Sequence, residues 1–285
     1  QCIKLVKKKG SQVGFVTSGM GLTENRVVEL IEAGLDFVGF SISGTTPETH
    51  DAIRVDSHLQ DVLNVIRFVN EEKKRQRLDR PKMHFVFLMV KDNIHEVPLV
   101  PSFAKEAGIE EVVLTNICHT IDAWQERQRI FDWEKGKNPY EGIVKQAETN
   151  AHKLNIRLKR PSLSTLDVPV CEENPLENLY ISANGEVSPC VYLYPPLPSP
   201  YKRIFCGREY WIEKVSFGNI LSDPFPTIWN REKYEQFRNR LIERRNGFRD
   251  LYLSLWDSPK MKTSEENALP EPPEPCKTCH KILGF

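Results

Sequence analysis

Four cysteines in the second half of the chain constrain its fold more than any other feature. Cys171 and Cys190 stand in the frame C-x13-G-x4-C, with Gly185 between them, and Cys276 and Cys279 form a C-x2-C pair. Cysteine thiolates from distant segments can close one zinc or iron–sulfur site. The second half is therefore predicted to fold around these four residues.

Composition and charge indicate which partners and which cysteine chemistry to expect. The 285 residues are 40% apolar, and 39 Lys and Arg balance 39 Asp and Glu. We expect no nucleic-acid partner, because there is no basic field, and no membrane partner, because no apolar stretch could cross a bilayer. Seven cysteines in a chain of this length favour reduced thiols with a metal role over a disulfide framework. With no signal segment in view, a cytoplasmic location is expected.

The first half alternates short apolar strands with helices. Strands are predicted at Val13–Thr17, Phe37–Ile42, Phe85–Val90 and Val112–Ile117. A long helix is predicted from Leu59 onwards, where apolar residues recur at helical spacing. This alternation predicts a parallel sheet covered by helices, whose sites form at the carboxyl ends of the strands. Thr17, Ser41 and Ser43 lie at those ends.

The second half has a different character, with many prolines and the four spaced cysteines. Asn184-Gly185 predicts a hairpin turn, because both turn positions favour positive φ, and it places Cys190 on the second strand. A helix is predicted over Phe225–Arg240, and a Pro-rich extended strap over Glu265–Pro275. We accordingly predict two domains, residues 1–165 and 166–285.

The run Phe15–Arg54 resembles the middle of a radical S-adenosylmethionine enzyme barrel. The matching motifs are Thr17-Ser18-Gly19, Ser41-Ile42-Ser43-Gly44 and His50-Asp51-Ala52-Ile53-Arg54. The later part resembles the SPASM/twitch extension that holds auxiliary iron–sulfur clusters. It matches in the first cysteine, the G-x4-C hairpin, the FGNIL and IWN sequences of Phe217–Asn230, and the C-x2-C pair.

This resemblance implies an α/β fold, a partial (β/α) parallel barrel of the radical S-adenosylmethionine type that is N-terminally truncated. A small cysteine-rich twitch/SPASM domain of a hairpin and a helix follows it. Residues expected to contact S-adenosylmethionine are Thr17, Ser41, Ser43, Arg54 and Asn93. Those expected to hold one auxiliary [4Fe–4S] cluster, the shorter twitch arrangement, are Cys171, Cys190, Cys276 and Cys279.

Two family motifs, the C-x3-C-x2-C of the catalytic cluster and the G-G-E-P run, are absent from the sequence. The complete enzyme is expected to hold a second [4Fe–4S] cluster and to form a 5′-deoxyadenosyl radical from S-adenosylmethionine. The expected substrate is a peptide, a protein or a metalloenzyme cofactor, as in maturases of tungsten or molybdenum oxidoreductases. A reducing donor such as ferredoxin or flavodoxin is implied.

Other interpretations of the cysteines remain open. A four-cysteine zinc site uses the same residue type and spacing, and the chain could be a non-catalytic cluster-binding scaffold or electron-transfer protein. Cys276-x2-Cys279-His280 also matches a c-type haem attachment signature, which leaves Cys171 and Cys190 unexplained. Cys118 is predicted to be a buried core residue, and Cys206 a stray thiol or a substitute ligand.

The missing cluster motif generates the first prediction. The 285-residue chain reduced with dithionite should release no 5′-deoxyadenosine from S-adenosylmethionine above a blank without protein, because no three-cysteine motif is present to hold the catalytic cluster. Liquid chromatography of the products measures this. Sustained turnover would mean that the catalytic cluster has been assigned wrongly.

Overall fold

The computed structural model of the protein describes residues 1–134, 137–166, 168–257 and 269–285. It divides the chain into two units. The first contains Gln1–Ile117, Gln128–Phe131 and the chain leading to Leu163. The second contains Cys118–Arg127, a short piece around Trp133, and the chain from Ser164 onwards.

Five parallel strands form the sheet of the first unit, in the order β1-β2-β3-β4-β5. The strands are β1 (Gly14–Thr17), β2 (Phe37–Ile42), β3 (Lys82–Met89), β4 (Glu111–Asn116) and β5 (Arg157–Lys159). The helices as far as residue 154 are α1 (Cys2–Lys8), α2 (Glu24–Glu32), α3 (Pro47–Ile53), α4 (Leu59–Gln76), α5 (Val100–Glu106), α6 (Ala123–Gln128) and α7 (Glu141–Leu154). The predicted parallel α/β architecture is confirmed, and β3 begins three residues before the predicted Phe85.

The core of this unit lies on one face of the sheet. Phe40 of β2 and Phe85 of β3 are fully buried and stand side by side in the strand register. Helix α4 adds Val62, Ile66 and Val69, which share one face of the helix at the predicted spacing. The opposite face of β2 carries Phe37, Gly39 and Ser41 and is less completely covered at its two ends.

A buried carboxylate anchors the edge of the sheet where the strands begin. Asp36 accepts hydrogen bonds from Lys7 Nζ at 2.7 Å and from the Val13 backbone N–H at 2.9 Å, and it also pairs with Arg80. The hydrogen bond from Lys7 is the main reason that the pKa of Asp36 is lowered. The pairing ties α1 to the segments that lead into β1, β2 and β3.

The second unit is built from small strands and one long helix. Its elements are β6 (Tyr180–Ile181), β7 (Val187–Ser188), β8 (Tyr201–Phe205), β9 (Arg208–Ile212), α8 (Phe225–Trp229) and α9 (Glu232–Asp257). Strands β6 and β7 pair antiparallel, as do β8 and β9. The single helix predicted over Phe225–Arg240 is instead two, because the chain leaves the helix at Asn230 before α9 begins.

The β6–β7 hairpin is confirmed, but its turn differs from the predicted one. Gly185 has φ of 87°, whereas Asn184 does not adopt positive φ. The Gly185 N–H donates to the Ser182 carbonyl at 2.9 Å, which describes a type I turn followed by a left-handed glycine. Strand β7 ends at Ser188, so Cys190 lies just after the strand rather than on it.

The β8–β9 hairpin was not anticipated from the sequence. Cys206 and Gly207 form its two-residue turn with φ of 49° and 74°. A two-residue segment that ends in glycine, placed between two runs of strand-forming residues, favours such a turn. The first residues of the predicted strap, 265–268, lie outside the described residues; within the remainder, Glu274–Cys276 form one 3-10 turn. Among the described helices, none is both long and apolar enough to cross a membrane.

Two phenylalanines of β2 allow a matched test of this core. Phe40→Ala should lower the free energy of unfolding by about 3–5 kcal/mol, because a fully buried ring is lost and a cavity remains. Phe37→Ala, on the same strand but 38% exposed, should cost clearly less. Urea unfolding followed by circular dichroism measures both. Equal losses for the two variants would contradict the assignment of the core to the Phe40 face.

Candidate functional site

All four predicted cysteine ligands line one enclosed cavity of the second unit. Cys171, Cys190, Cys276 and Cys279 surround it, although they come from three distant segments of the chain. The other described residues that line it are Glu173, Pro175, Tyr192, Leu193, Leu241, Lys281 and Ile282. The structure therefore brings together the residues that the spacing singled out, in a largely apolar setting.

Each of the four cysteines opens a tight turn of the backbone. In every case the cysteine carbonyl accepts the N–H of the residue three positions later: Asn174 at 2.9 Å, Leu193 at 3.3 Å, Cys279 at 3.1 Å and Ile282 at 3.1 Å. The same local turn thus recurs at all four cysteines, in segments that have little regular secondary structure.

Helix α9 supports the cavity from one side. Phe237 and Leu241 form a core cluster with Cys190 and Leu193, and Cys276 packs against this cluster. These contacts hold two of the four thiols against the helix.

Arg244, also on α9, fastens two of the cysteine-bearing segments. It donates to the carbonyls of Val168 at 3.0 Å and Pro169 at 3.3 Å, which lead to Cys171, and to that of Pro270. Pro270 lies in the strap that leads to Cys276. One buried guanidinium on α9 thus joins the two approaches to the cysteine cavity.

Burial favours the protonated form of three of these thiols, those of Cys171, Cys190 and Cys276. It raises the pKa of Cys171 to about 11 and that of Cys190 to about 12, and Cys279 adds to both shifts. Burial and the three other thiols hold the pKa of Cys276 well above its usual range. A metal that binds here must displace these protons, and its positive charge would remove the repulsion among the thiolates.

Four cysteines are a donor set that suits either a tetrahedral zinc ion or an iron–sulfur cluster. Within the described residues, no group of three or more His, Cys, Asp or Glu side chains is arranged to hold one metal ion. Arg203 Nε and Thr278 Oγ1 are buried without a hydrogen-bond partner among the described residues, although neither residue lines the cavity. The four cysteines that line the cavity are the donor set of a [4Fe–4S] cluster, so the residues present fit an iron–sulfur group.

A lysine at the cavity was not anticipated from the sequence. Lys281 is 8% exposed, and its Nζ contacts Glu172 Oε2 at 2.8 Å. Burial opposes its charge, but the Cys118 thiol, the Tyr192 phenol and Glu172 outweigh burial, so its pKa is raised. Its position two residues after Cys279 was the only available signal.

His280 of the CKTCH sequence and the cysteines Cys118 and Cys206 lie outside the set of four predicted ligands. His280 is fully buried; its Nδ1 lies 3.2 Å from the Cys118 carbonyl, and its Nε2 accepts the Cys206 N–H at 3.4 Å. With both ring nitrogens facing the backbone, His280 is not poised to bind haem iron. Cys118 is buried, as predicted, and Cys206 is not among the described residues that line the cavity.

The first unit carries a second candidate site at the carboxyl edge of its sheet. Ser43 is fully buried just after β2, and its hydroxyl accepts the Arg54 Nε–H at 2.9 Å. The Ser43 N–H donates to His50 Nδ1 at 3.2 Å. Burial, followed by the Arg54 charge, lowers the pKa of His50 to about 4, so this histidine is a neutral structural acceptor at pH 7. The structure thus joins two predicted residues, Ser43 and Arg54.

Arg54 has no carboxylate partner. The part of the chain that the structure describes offers its guanidinium only the Ser43 hydroxyl, and burial lowers its pKa. A half-buried guanidinium in this condition can bind a carboxylate ligand with charge-assisted hydrogen bonds.

Asn93 has a different role from the predicted cofactor contact. It is fully buried; its amide donates to the carbonyls of Ser43 at 2.9 Å and Leu88 at 2.8 Å, and its oxygen accepts the Val90 N–H at 2.8 Å. These backbone bonds occupy the amide. Asn93 therefore joins the ends of β2 and β3 and positions Ser43.

Thr17 and Ser41 do not share one face of the sheet. Thr17 pairs in register with Phe40 and lies on the helix-covered face, whereas Ser41 pairs with Val86 on the opposite face. The Thr17 hydroxyl accepts the Gly19 N–H at 3.0 Å, which is the bond of a local turn. Within the described residues, neither side chain joins the Ser43 network, so the expected convergence of all these groups does not occur.

Comparison with known proteins finds a matching family model and similar chains. The SPASM family, described as an iron–sulfur cluster-binding domain, matches residues 171–251. A tungsten-containing aldehyde ferredoxin oxidoreductase cofactor-modifying protein of Pyrococcus furiosus is 25% identical over 238 residues, which are 83% of this chain and 64% of that protein. The PqqA peptide cyclase of Rhizobium meliloti is 48% identical over 44 residues, 15% of this chain and 12% of the cyclase.

The fold has solved counterparts. Streptococcus suis SuiB bound to its precursor peptide SuiA aligns with a TM-score of 0.55 at 11% identity, over 83% of this chain and 52% of SuiB. SuiB bound to S-adenosylmethionine gives a TM-score of 0.55 at 10% identity, over 84% of this chain and 52% of SuiB. The chain therefore spans about half the length of SuiB and less than two thirds of the Pyrococcus protein.

The cysteine frame, the parallel sheet and these comparisons confirm the resemblance predicted from the sequence. Residues 171–251 match the SPASM iron–sulfur cluster-binding domain, and the chain is similar to a cofactor-modifying protein over 83% of its length.

Proposed function

We propose that this chain forms part of a radical S-adenosylmethionine maturase and binds one auxiliary [4Fe–4S] cluster through Cys171, Cys190, Cys276 and Cys279. The observation that carries the proposal is that these four cysteines, from three distant segments, line a single cavity. The auxiliary cluster would supply electron transfer or a binding point for substrate. The protein's own contribution is to hold four turns in place and to exclude water from the thiols.

We further propose that Arg54 binds the carboxylate of S-adenosylmethionine at the sheet edge. Ser43 and Asn93 would hold the guanidinium in position, while Thr17 and Ser41 would contribute only through the shape of the strand ends. With a catalytic cluster and a donor such as ferredoxin or flavodoxin, S-adenosylmethionine would yield the 5′-deoxyadenosyl radical that removes hydrogen from the substrate. Both functions would belong to one enzyme.

The substrate class follows from the named relatives. The Pyrococcus relative is named for modifying a cofactor, and the Rhizobium relative for cyclising a peptide. We propose a peptide, a protein or a metalloenzyme cofactor as the substrate of the enzyme to which this chain belongs. The proposal of a tungsten-enzyme cofactor as substrate is supported by the match to the Pyrococcus protein, which is the longer of the two matches.

Iron content tests the cluster proposal. Anaerobic reconstitution should give about four irons per chain, because four thiolates complete one [4Fe–4S] cluster. Cys190→Ser and Cys279→Ser should abolish or strongly weaken that uptake. Cys206→Ser is the matched control and should retain it, because Cys206 does not line the cavity. Iron analysis and visible absorption measure the result.

Three results of that experiment would contradict the proposal. One tightly bound zinc with no iron would replace the cluster with a structural zinc site. Covalent haem on Cys276 and Cys279 would give the C-terminal segment a different chemistry. Full iron uptake by Cys190→Ser would show that the ligands have been assigned wrongly.

Equilibrium dialysis tests the role of Arg54. Arg54→Met should weaken binding of S-adenosylmethionine by about 10- to 100-fold, because a charge-assisted hydrogen bond contributes about 1.5–3 kcal/mol. Arg67→Met on the exposed side of α4 removes the same charge and should bind as the wild type does. Equal affinity of Arg54→Met and the wild type would exclude the carboxylate contact.

A further inference from the structure

Arg203 is a fully buried guanidinium in the second unit. It lies on β8 and is 1% exposed. Its Nη1 donates to the carbonyls of Pro275 at 3.1 Å and Thr278 at 3.5 Å. Its Nη2 donates to the Tyr192 carbonyl at 2.9 Å and to the Tyr201 hydroxyl at 3.0 Å. All of these acceptors are neutral.

The charge of Arg203 has no counter-ion. Within the described ranges, no Asp or Glu oxygen lies within ion-pair distance of its guanidinium, whereas Lys281 in the same unit pairs with Glu172. Burying an ionised group costs several kcal/mol unless an opposite charge lies nearby. Arginine does not release its proton in proteins, so Arg203 stays charged. A nearby anion would stabilise this buried charge.

The bonds of Arg203 indicate where that anion belongs. Pro275 and Thr278 immediately precede Cys276 and Cys279. Arg203 Nη1 therefore bonds the backbone of the C-x2-C loop just before each of its two cysteines. The guanidinium is therefore held against the loop that carries both cysteines.

Unpartnered donors point the same way. Arg203 Nε and Thr278 Oγ1 are buried without a hydrogen-bond partner, and Thr278 is one of the two residues between Cys276 and Cys279. Unpartnered buried donors are rare in native proteins and call for an explanation, such as a bound ion or group. Sulfur atoms of a cluster would be acceptors of the required kind.

We propose that Arg203 is a positioning residue of the auxiliary cluster, which clamps the C-x2-C loop and supplies the buried positive charge that offsets the negative charge of the thiolate-bound cluster. The inference rests on the proposed cluster site. Reduction adds an electron to a site that is already anionic, so a nearby cation favours the reduced form. Arg203 should accordingly raise the reduction potential of the cluster as well as its retention.

Three variants and the wild type test this role in the reconstituted chain. Arg203→Gln removes the charge, Arg203→Lys keeps the charge but loses the planar fork, and Lys202→Gln removes a charge from the adjacent residue of β8, which pairs with Glu209. Spectroelectrochemical titration measures the midpoint potential. Loss of iron to a chelator measures retention, and circular dichroism reports folding.

The expected results distinguish the effect of the Arg203 charge from the effect of its hydrogen bonds to the C-x2-C loop. Arg203→Gln should shift the midpoint to a more negative potential and weaken iron retention on the order of 10-fold, as is typical of partners that support metal ligands. Arg203→Lys should keep a midpoint close to that of the wild type and still lose iron faster. Lys202→Gln should match the wild type in both measurements.

The inference fails if Arg203→Gln binds a full cluster with the midpoint and retention of the wild type, or if Lys202→Gln shifts the midpoint as far as Arg203→Gln does. If Arg203→Gln does not fold, Arg203→Lys decides the role of the clamp: wild-type iron retention would overturn it, and faster loss would support it. A wild-type chain that takes up no iron would overturn the cluster proposal itself, and this inference with it.

Discussion

The convergence of four cysteines from three segments on one cavity is the constraint on which the second unit depends. Burial favours the protonated form of Cys171, Cys190 and Cys276, and thiolates held so close together would repel one another. The backbone turns at each cysteine, and α9 supplies the apolar wall behind Cys190 and Cys276. In the proposed function, the positive charge of a bound cluster's iron would replace the protons and remove the repulsion.

Two buried arginines connect this site to the rest of the unit. Arg244 on α9 bonds the carbonyls that precede Cys171 and the strap that precedes Cys276, and Arg203 on β8 bonds the C-x2-C loop itself. Guanidinium groups suit this task because several donors in one plane can reach carbonyls on separate segments. The irregular chain around the cysteines thus obtains its order from long-range contacts rather than from regular secondary structure.

In the first unit, a hydrogen-bond network holds the Arg54 guanidinium at the edge of the parallel sheet. Ser43 is the centre of that edge: His50 accepts its N–H, Arg54 donates to its hydroxyl and Asn93 donates to its carbonyl. Each bond uses a different atom of one buried residue. The guanidinium of Arg54 is therefore oriented by its bond to a buried residue that is itself held by two further hydrogen bonds.

Local sequence determined the features that rest on spacing and periodicity. The apolar strands, the parallel α/β pattern, the cysteine frame and the glycine of the Gly185 turn were all predicted, because each depends on residues close together in the chain. Only the tertiary structure decided which distant groups meet. It separated Thr17 from Ser41 through strand register and assigned Asn93 to backbone bonds. It also buried Arg203 beside Cys276, since bonds between residues 72 positions apart leave no periodic signal in the sequence.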